Sequence, residues 1–428
     1  MSSSSDINKD KIENVLILQG GGSLGAFGCG VYKALANNNV RLDVIAGTSI
    51  GGVNAAIIAG SKDEDYPERS LEQFWLELSE NYIDISKSPF NIHSQFVEQL
   101  LFPFTYRYDP SSTLSSENKE AFKTKTNINY YQQIKHLQSF YSSVVFGNEK
   151  MYIPRWRFEY ALSDPDYFRP TKWTYIYDHS PLVKTLEKYI NYDKLKPGGN
   201  PNTRLLLTAV NVLSAEPITF DSSKQQITSK HIMATSSYPL YNFRWVEVEN
   251  GIYAWDGSLL SNTPLREALE ASPVRDKNIF IVENYPKKID TLPQNLPEVY
   301  HRARDIIFSD KTEHNIKMSK VVTKYLQYIE ELYQIIDKFT DKTKLDEKQL
   351  KRIQSKYKKY KQERGAEIKD IFYITRDEPY PHIYENADFS PEAIKGSIEE
   401  GEMKTNRVLN KRNLVNDANN NNNTKLYK

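Results

Sequence analysis

Leu42-Asp43-Val44-Ile45-Ala46-Gly47-Thr48-Ser49-Ile50-Gly51-Gly52-Val53-Asn54-Ala55-Ala56-Ile57-Ile58-Ala59-Gly60 decides the fold class. The apolar run around Val44 to Ala46 predicts a short buried strand. The small, apolar residues from Gly52 onward predict a packed helix that stops at Gly60. Between them Gly47-Thr48-Ser49-Ile50-Gly51 predicts a sharp turn. A serine on such a turn is lifted clear of the sheet, with the positive end of the following helix behind it, an arrangement suited to a nucleophile. Glycines two before and two after it answer the crowding of backbone at the turn. G-x-S-x-G alone also describes an ordinary tight turn, so its surroundings carry the reading.

Upstream, Val15 to Leu18 has the signal of a buried strand, and Gln19-Gly20-Gly21-Gly22-Ser23-Leu24-Gly25 leads into a helical pattern that runs to about Leu35. N–H groups of a glycine loop opening a helix are unblocked by side chains and can bind a negative oxygen, either a phosphate or the oxyanion of a tetrahedral intermediate. Gly20, Gly22 and Gly25 fit the dinucleotide pattern G-x-G-x-x-G, and Asp43 lies near the expected spacing of a ribose-binding acid. That acid should stand at the carboxyl end of the second strand. Asp43 precedes Val44 and stands at its beginning, while the carboxyl end holds Ser49. One crevice at the strand ends thus combines an amide nest with an exposed serine, which is what acyl transfer requires.

The serine needs a base, and Tyr253-Ala254-Trp255-Asp256-Gly257-Ser258, followed by Leu259-Leu260-Ser261-Asn262-Thr263-Pro264, offers Asp256 on an Asp-Gly turn. Asp-Gly is a common turn signal and by itself says little.

The glycine loop, the G-x-S-x-G turn and the late Asp-Gly, in this order, resemble the patatin-like phospholipase family. The resemblance covers most of residues 13 to 285 and includes His231-Ile232-Met233-Ala234-Thr235-Ser236-Ser237-Tyr238-Pro239. Tyr167-Phe168-Arg169-Pro170, Tyr177-Asp178-His179-Ser180-Pro181-Leu182 and Asp388-Phe389-Ser390-Pro391 are similar to a mainly bacterial subgroup with a C-terminal extension. The resemblance implies a serine-aspartate dyad that works without histidine: Ser49 as nucleophile within the elbow Gly47, Thr48, Ile50 and Gly51, Asp256 as base, and Gly20, Gly21, Gly22, Ser23 and Gly25 as the oxyanion loop. It implies a lipid acyl hydrolase of phospholipase A or related esterase type, with no cofactor. A lipid-binding or scaffolding protein that keeps the fold without turnover is the alternative. Two positions depart from the family: Leu24, where many members carry a basic residue, and Ser258, where most carry a second glycine. The first removes a charge but no backbone donor. The second would strain the turn that aims Asp256 if that turn needs positive φ.

A competing triad in the order serine, aspartate, histidine would draw on His301, His314 or His382. The first two lie in charged helical sequence and the third in a proline-rich turn. His231 reads as a hydrogen-bonding residue. With one cysteine, Cys29, and no H-E-x-x-H or paired Cys/His spacing, no metal site and no internal disulfide are expected. Cys29 belongs to the small-residue face of the first helix and reads as buried packing.

Fifty-six basic and 55 acidic residues give a net charge of +1, which exerts no overall pull toward nucleic acid. Met1 to Asp10 lacks the apolar core of a secretory signal and no stretch reaches a membrane span, so a cytoplasmic protein is expected, with peripheral association with membranes or lipid particles left open. Strand signals at Arg204 to Val210, Ile279 to Val282 and Ile371 to Ile374 complete the expectation of an α/β fold, a three-layer α/β/α sandwich with a mostly parallel central sheet. The expected organisation is a disordered N-terminus (1–12), a catalytic domain (13–285) with an aromatic-rich insertion at about 86–200, a helical, charged extension (286–415) packing on it, and an Asn-rich disordered tail (416–428). The insertion would wall an acyl pocket or form a lid. In the extension Val322, Tyr325, Ile329, Leu332, Ile336 and Phe339 form a helical stripe, and Asp341 to Arg364 carries ten basic and four acidic residues. The stripe's ordinary role is packing on its own core, with homodimerisation or membrane docking as alternatives; the basic stretch reads as a solvated helix-turn-helix connection, with anionic lipid headgroups as the alternative partner.

Overall fold

The first strand, β1 (Glu13–Leu18), is apolar without alternation because it is buried on both faces. Leu16 and Leu18 face one core cluster, Val15 and Ile17 the other. The computed structural model describes residues 12–80, 139, 142–200, 202–289, 292–293, 296–309, 312–339, 347–364, 366–377, 385–418 and 425–427. After β1 come α1 (Gly25–Asn37), β2 (Val44–Gly47), α2 (Ile50–Ala59) and α3 (Pro67–Glu80). Next are the hairpin pair β3 (Ile153–Pro154) and β4 (Tyr177–Asp178), then α4 (Ser180–Tyr189), β5 (Arg204–Asn211), β6 (Pro217–Asp221), α5 (Ser229–Thr235), β7 (Val246–Glu249), β8 (Ile252–Asp256), α6 (Leu265–Ala271) and β9 (Lys277–Glu283). The chain continues with α7 (Leu296–Phe308), α8 (Thr312–Phe339), α9 (Glu347–Arg364), β10 (Ile368–Thr375), α10 (Pro391–Ala418) and β11 (Lys425–Tyr427).

Among the described residues nine strands form one mixed sheet with helices on both faces, in the order β11-β10-β9-β1-β2-β5-β8-β7, with β6 paired to β5. From β11 to β5 the pairing is parallel, and β6, β7 and β8 run antiparallel to their neighbours. Two registers position the site. Leu18 stands beside Gly47, so the loop after β1 and the turn after β2 leave the sheet side by side. Gly47 stands beside Leu207 and Asp256 beside Ala209, so β5 overruns β2 by the two residues that bring Asp256 level with Ser49.

The C-terminal part is built into the same core. β10 extends the sheet beyond β9, and α10 lies so close to α1 that a Cβ on Gly30 would collide with the Ile398 carbonyl, and one on Gly401 with that of Phe27. Cys29, also on α1, is fully buried, and desolvation pushes its thiol far above the ordinary range. The tail differs from expectation. Residues 416–418 complete α10, and Lys425–Tyr427 adds a strand whose Tyr427 ring stacks on Phe372 at 5.0 Å.

The stripe on α8 also differs from packed expectation. Ile316, nearer the start of the helix, is buried, but Tyr325, Ile329 and Leu332 are exposed. The side chains of Ile336 and Phe339 lie outside the described residues, as do Phe90, Phe96, Phe102, Phe104, Tyr106 and Tyr108 of the aromatic insertion. No helix among the described residues is long and apolar enough to cross a membrane.

Candidate active site

Ser49 occupies φ 57°, ψ −131°, a region costly for a residue with a side chain, at the junction of β2 and α2. The surroundings hold it there. A Cβ on Gly47 would strike the backbone of Gly51, and one on Gly51 would strike the Leu18 carbonyl at the end of β1, so each glycine of the motif is a point where main chains touch. The Ser49 N–H donates to Thr235 Oγ1 at 3.2 Å. Behind the turn the Thr48 and Thr208 hydroxyls share a hydrogen bond of 2.6 Å that ties β2 to β5.

Asp256 ends β8 and is fully buried. Its Oδ1 accepts from the Ser258 N–H at 2.8 Å, and the preceding main chain is fixed by the Asp256 N–H on the Ser237 carbonyl at 3.1 Å. Oδ2 is buried with no partner at full hydrogen-bond geometry. The Ser49 hydroxyl is nevertheless close enough to stabilise the ionised carboxylate. Desolvation is the dominant influence and raises the carboxyl to about 6, with Ser49 and Ser258 pulling the other way. The Asp256 turn is a short 3₁₀ segment (Gly257–Leu259), and Ser258 does not adopt positive φ, so the departure from Asp-Gly-Gly brings no backbone strain.

The glycine loop lies against both residues. A Cβ on Gly20 would stand 2.9 Å from that of Ser49 and collide with Asn262 Oδ1. The Gly20 N–H is taken by the Asn262 carbonyl at 3.3 Å and the Gly25 N–H turns into the helix, whereas Gly21 and Gly22 line the adjoining cavity. Gly22 requires its φ of 60° and its missing side chain, since a Cβ would collide with the Asn386 carbonyl. Ser23 Oγ donates to the Glu385 carbonyl at 2.6 Å. Leu24 is buried against Tyr238, Tyr285 and Phe308, an apolar niche in which a basic side chain would lose its hydration.

Several polar groups that clamp this loop carry no motif. Gln19 Nε2 donates to Thr263 Oγ1 and the Phe308 carbonyl, both at 3.0 Å, and its Oε1 accepts the Asn284 N–H at 2.6 Å. Asn284 Nδ2 returns to the carbonyls of Gln19 and Gly20 at 3.1 Å each. On the other side of α1, Asn54 bridges Gly25 and the Trp75 indole. Asn386 caps the arrangement from far down the chain, next to the Asp388-Phe389-Ser390-Pro391 run; that run was the available signal for it.

Ser49, Ile50, Gly21 and Gly22 line one end of a cavity of about 420 Å³ whose walls are mainly aromatic and aliphatic. Met151, Tyr152 and Tyr177 come from the described end of the aromatic insertion, Leu240 and Phe243 from the segment before β7, and Phe308 and Phe389 from the C-terminal part. No Lys, Arg, Asp or Glu is among the described residues that line it. A second cavity of about 540 Å³ opens at the opposite end of the strands, around Arg41 and Thr203, away from Ser49.

His179 lines the cavity and is buried. Desolvation lowers it to about 4, so it is neutral in the physiological range, and its Nε2 lies 3.2 Å from the Met233 carbonyl and 3.1 Å from Ser237 Oγ. His231 accepts the Thr228 N–H at 2.9 Å in a capping box that starts α5, a structural role. His301 is buried on α7 beside Asp305 and Glu385, a trio of metal-ligand type. Arg304 already supplies the cation there: its guanidinium donates to Asp305 at 2.8 Å, Glu385 at 2.7 Å and His301 at 2.9 Å. His382 and the side chain of His314 lie outside the described residues.

No curated protein matches the chain. Solved structures that resemble it include VipD from Legionella pneumophila (14% identity, TM-score 0.36, covering 94% of this chain and 67% of that one). They also include the SpcU–ExoU complex from Pseudomonas aeruginosa (17% identity, TM-score 0.26, 68% of this chain and 47% of that one). The chain thus spans about half to two thirds of those proteins. The model of the family described as patatin-like phospholipase matches residues 16–269, more than half of the chain. With the elbow, the glycine loop and the buried aspartate all falling inside that match, the chain belongs to the patatin-like phospholipase family.

Proposed function

We propose that this protein cleaves fatty acyl esters of lipids through a Ser49–Asp256 dyad, with the glycine loop as oxyanion hole. The observation that carries the reading is the conjunction at the cavity's polar end: a strained serine beside a fully buried carboxylate whose second oxygen has no full hydrogen bond. Asp256, ionised above about pH 6, takes the Ser49 proton as Oγ attacks the ester carbonyl. The cavity, whose described lining is largely apolar and without Lys, Arg, Asp or Glu, holds the acyl chain. N–H groups of Gly21 and Gly22, which line it, receive the negative oxygen of the tetrahedral intermediate; Gly20 and Gly25 shape the loop, their own N–H groups being engaged elsewhere. Collapse releases the alcohol, which takes the proton back from Asp256. Water, activated by the same carboxylate, then frees the fatty acid. A carboxylate raised toward neutrality is a better base than one near 3.9, and burial without a cation supplies that rise here.

Such an enzyme works at the surface of a membrane or lipid particle from the cytoplasmic side. The exposed stripe of α8 is the segment through which two copies would pair. Labelling by a fluorophosphonate probe tests the nucleophile: the native chain should label and Ser49→Ala should not, with ester hydrolysis lost in parallel. Equal labelling of Ser49→Ala would remove the assignment. A lipid-binding protein without turnover would bind vesicles yet neither label nor hydrolyse.

A further inference from the structure

We propose that Arg304 is a positioning residue for the glycine loop: acting through Glu385 and Asn386, it holds the main chain against which Gly22 is seated. The inference rests on the acyl-hydrolase reading above. Arg304, Glu385 and Asn386 all lie beyond the family match, which ends at residue 269. Gly22 takes a left-handed φ of 60°, and a Cβ there would come within 2.2 Å of the Asn386 carbonyl oxygen, so the main chains of the two residues touch. Ser23 Oγ adds a hydrogen bond of 2.6 Å to the Glu385 carbonyl. A shift of Glu385 and Asn386 would therefore carry Gly21 and Gly22 with it, and with them the N–H groups proposed to meet the oxyanion.

What seats Glu385 and Asn386 is a buried ion cluster. One guanidinium reaches both residues: Arg304 Nη1 donates to Asn386 Oδ1, and Nη2 donates to Glu385 Oε1 at 2.7 Å. Asp305 Oδ1 accepts from the same Nη2 at 2.8 Å, and the guanidinium carbon stands 5.3 Å from the centre of the Tyr285 ring. Asn386 Nδ2 in turn donates to the Tyr285 hydroxyl at 2.7 Å. Arg376 closes the circuit, with Nη2 on Glu385 Oε1 and Nε on the Asn284 carbonyl, both at 3.0 Å. Asn284 is the residue whose Nδ2 holds the Gly20 carbonyl. Asp305 and Glu385 are buried, and both guanidinium groups are nearly so. A buried cluster of this kind adds little net stability, but a planar guanidinium fixes the direction of every partner it holds. Neither Arg304 nor Arg376 is among the described residues that line the cavity, so their route to the reaction is the loop.

The experiment uses the full chain. Arg304→Lys keeps the charge and loses the fork. Because the oxyanion exists only in the transition state, kcat for a soluble short-chain ester should fall about tenfold while KM changes by less than about twofold. That is short of the roughly 100-fold that loss of a whole oxyanion donor costs. Rates are taken per site titrated with a fluorophosphonate, so unfolded protein does not enter. Asn386→Ala should lose a similar factor, and the double variant should be within about twofold of the slower single one, since both cut the same link. Amide exchange followed by mass spectrometry should quicken several-fold in a peptide covering 19–25 and stay unchanged in one covering 46–60. If Arg304→Lys does not fold, Ser23→Ala, which cuts only the tie to the Glu385 carbonyl, should show the same pattern with a kcat loss of about threefold. Losses that multiply in the double variant would overturn the proposal, as would a kcat per site or a loop exchange rate equal to the parent's. A parent chain that neither labels nor hydrolyses, with the exchange contrast intact, would instead sink the enzymatic reading and leave the seating of the loop standing.

Discussion

Two buried aspartates flank β5 and have opposite fates. Asp221, on β6, sits opposite Leu206 and receives a bidentate clasp from the Arg204 guanidinium, with Nε at 2.8 Å from Oδ1. Ser223 adds hydrogen bonds of 3.0 Å from its N–H and 2.8 Å from its hydroxyl. Burial alone would raise its pKa, but these donors outweigh it and hold the carboxyl below the ordinary range. Asp256, on β8 opposite Ala209, has no cation, one firm backbone donor and an unclasped oxygen, and burial raises it to about 6. Same residue type, same sheet, both paired to β5: the partner set separates an anchor from the proposed base.

The sharpest way to break this contrast is to neutralise each acid. Asp256→Asn should lower ester hydrolysis by on the order of 100-fold or more while the fold is kept, since the amide cannot take a proton from Ser49. Retained activity would end the dyad assignment. Asp221→Ala should do the reverse, costing roughly 3 kcal/mol of stability because the Arg204 guanidinium loses its clasp, with the rate per folded molecule little changed. Denaturant melts and active-site titration of the same samples separate the two effects.

The same contrast fixes two opposite pH dependences. Asp221 binds its proton less readily when folded, so the stability it contributes is present above the unfolded pKa near 3.9 and fades as pH falls through its lower folded value. Asp256 binds its proton more readily when folded, so it costs nothing below about pH 4 and exacts its full penalty above about pH 6. A rise from 3.8 to about 6 corresponds to roughly 2 to 3 kcal/mol. Asp256→Asn should therefore be the more stable protein at pH 7 to 8, by an amount that shrinks toward pH 4. Activity should rise with pH through about 6 in the unmodified enzyme. A melting temperature at pH 8 that falls on this substitution would contradict the desolvation account.

What the sequence disclosed and what it hid follow from the same physics. The elbow was legible because backbone collisions at Gly47 and Gly51 admit one residue type, and such constraints print themselves locally. The strands of the parallel sheet were legible because burial on both faces leaves unbroken apolar runs. The clamp made by Gln19, Asn262, Asn284 and Asn386 was not, since an amide side chain in a loop is ordinary until folding places it over Gly20 and Gly22. Likewise the overrun of β5, which sets Asp256 level with Ser49, is a register between distant strands and has no local pattern. The exposed stripe of α8 shows the converse failure: helical periodicity was present, but whether a core lies opposite is decided by the helix's path and not by its spacing.

Ser258 offers the finest adjustment of the Asp256 environment, because its two hydrogen bonds can be separated. The N–H that holds Oδ1 at 2.8 Å belongs to the backbone and survives any substitution but proline, while the hydroxyl spans to Asn262 Oδ1 at 2.9 Å and also helps to keep Asp256 ionised. Ser258→Gly restores the residue that most family members carry and removes only the hydroxyl's share. Stability should fall by about 1 kcal/mol, from one hydrogen bond and a freer unfolded chain. With one stabilising donor gone, Asp256 should titrate somewhat higher, so the acidic limb of the rate profile should move to higher pH while the plateau rate stays within about threefold. A limb that moves to lower pH would mean that the Ser258 hydroxyl does not act on the carboxylate. A collapse of the plateau comparable to that of Asp256→Asn would mean that the hydroxyl, and not the backbone N–H, is what holds the base in place.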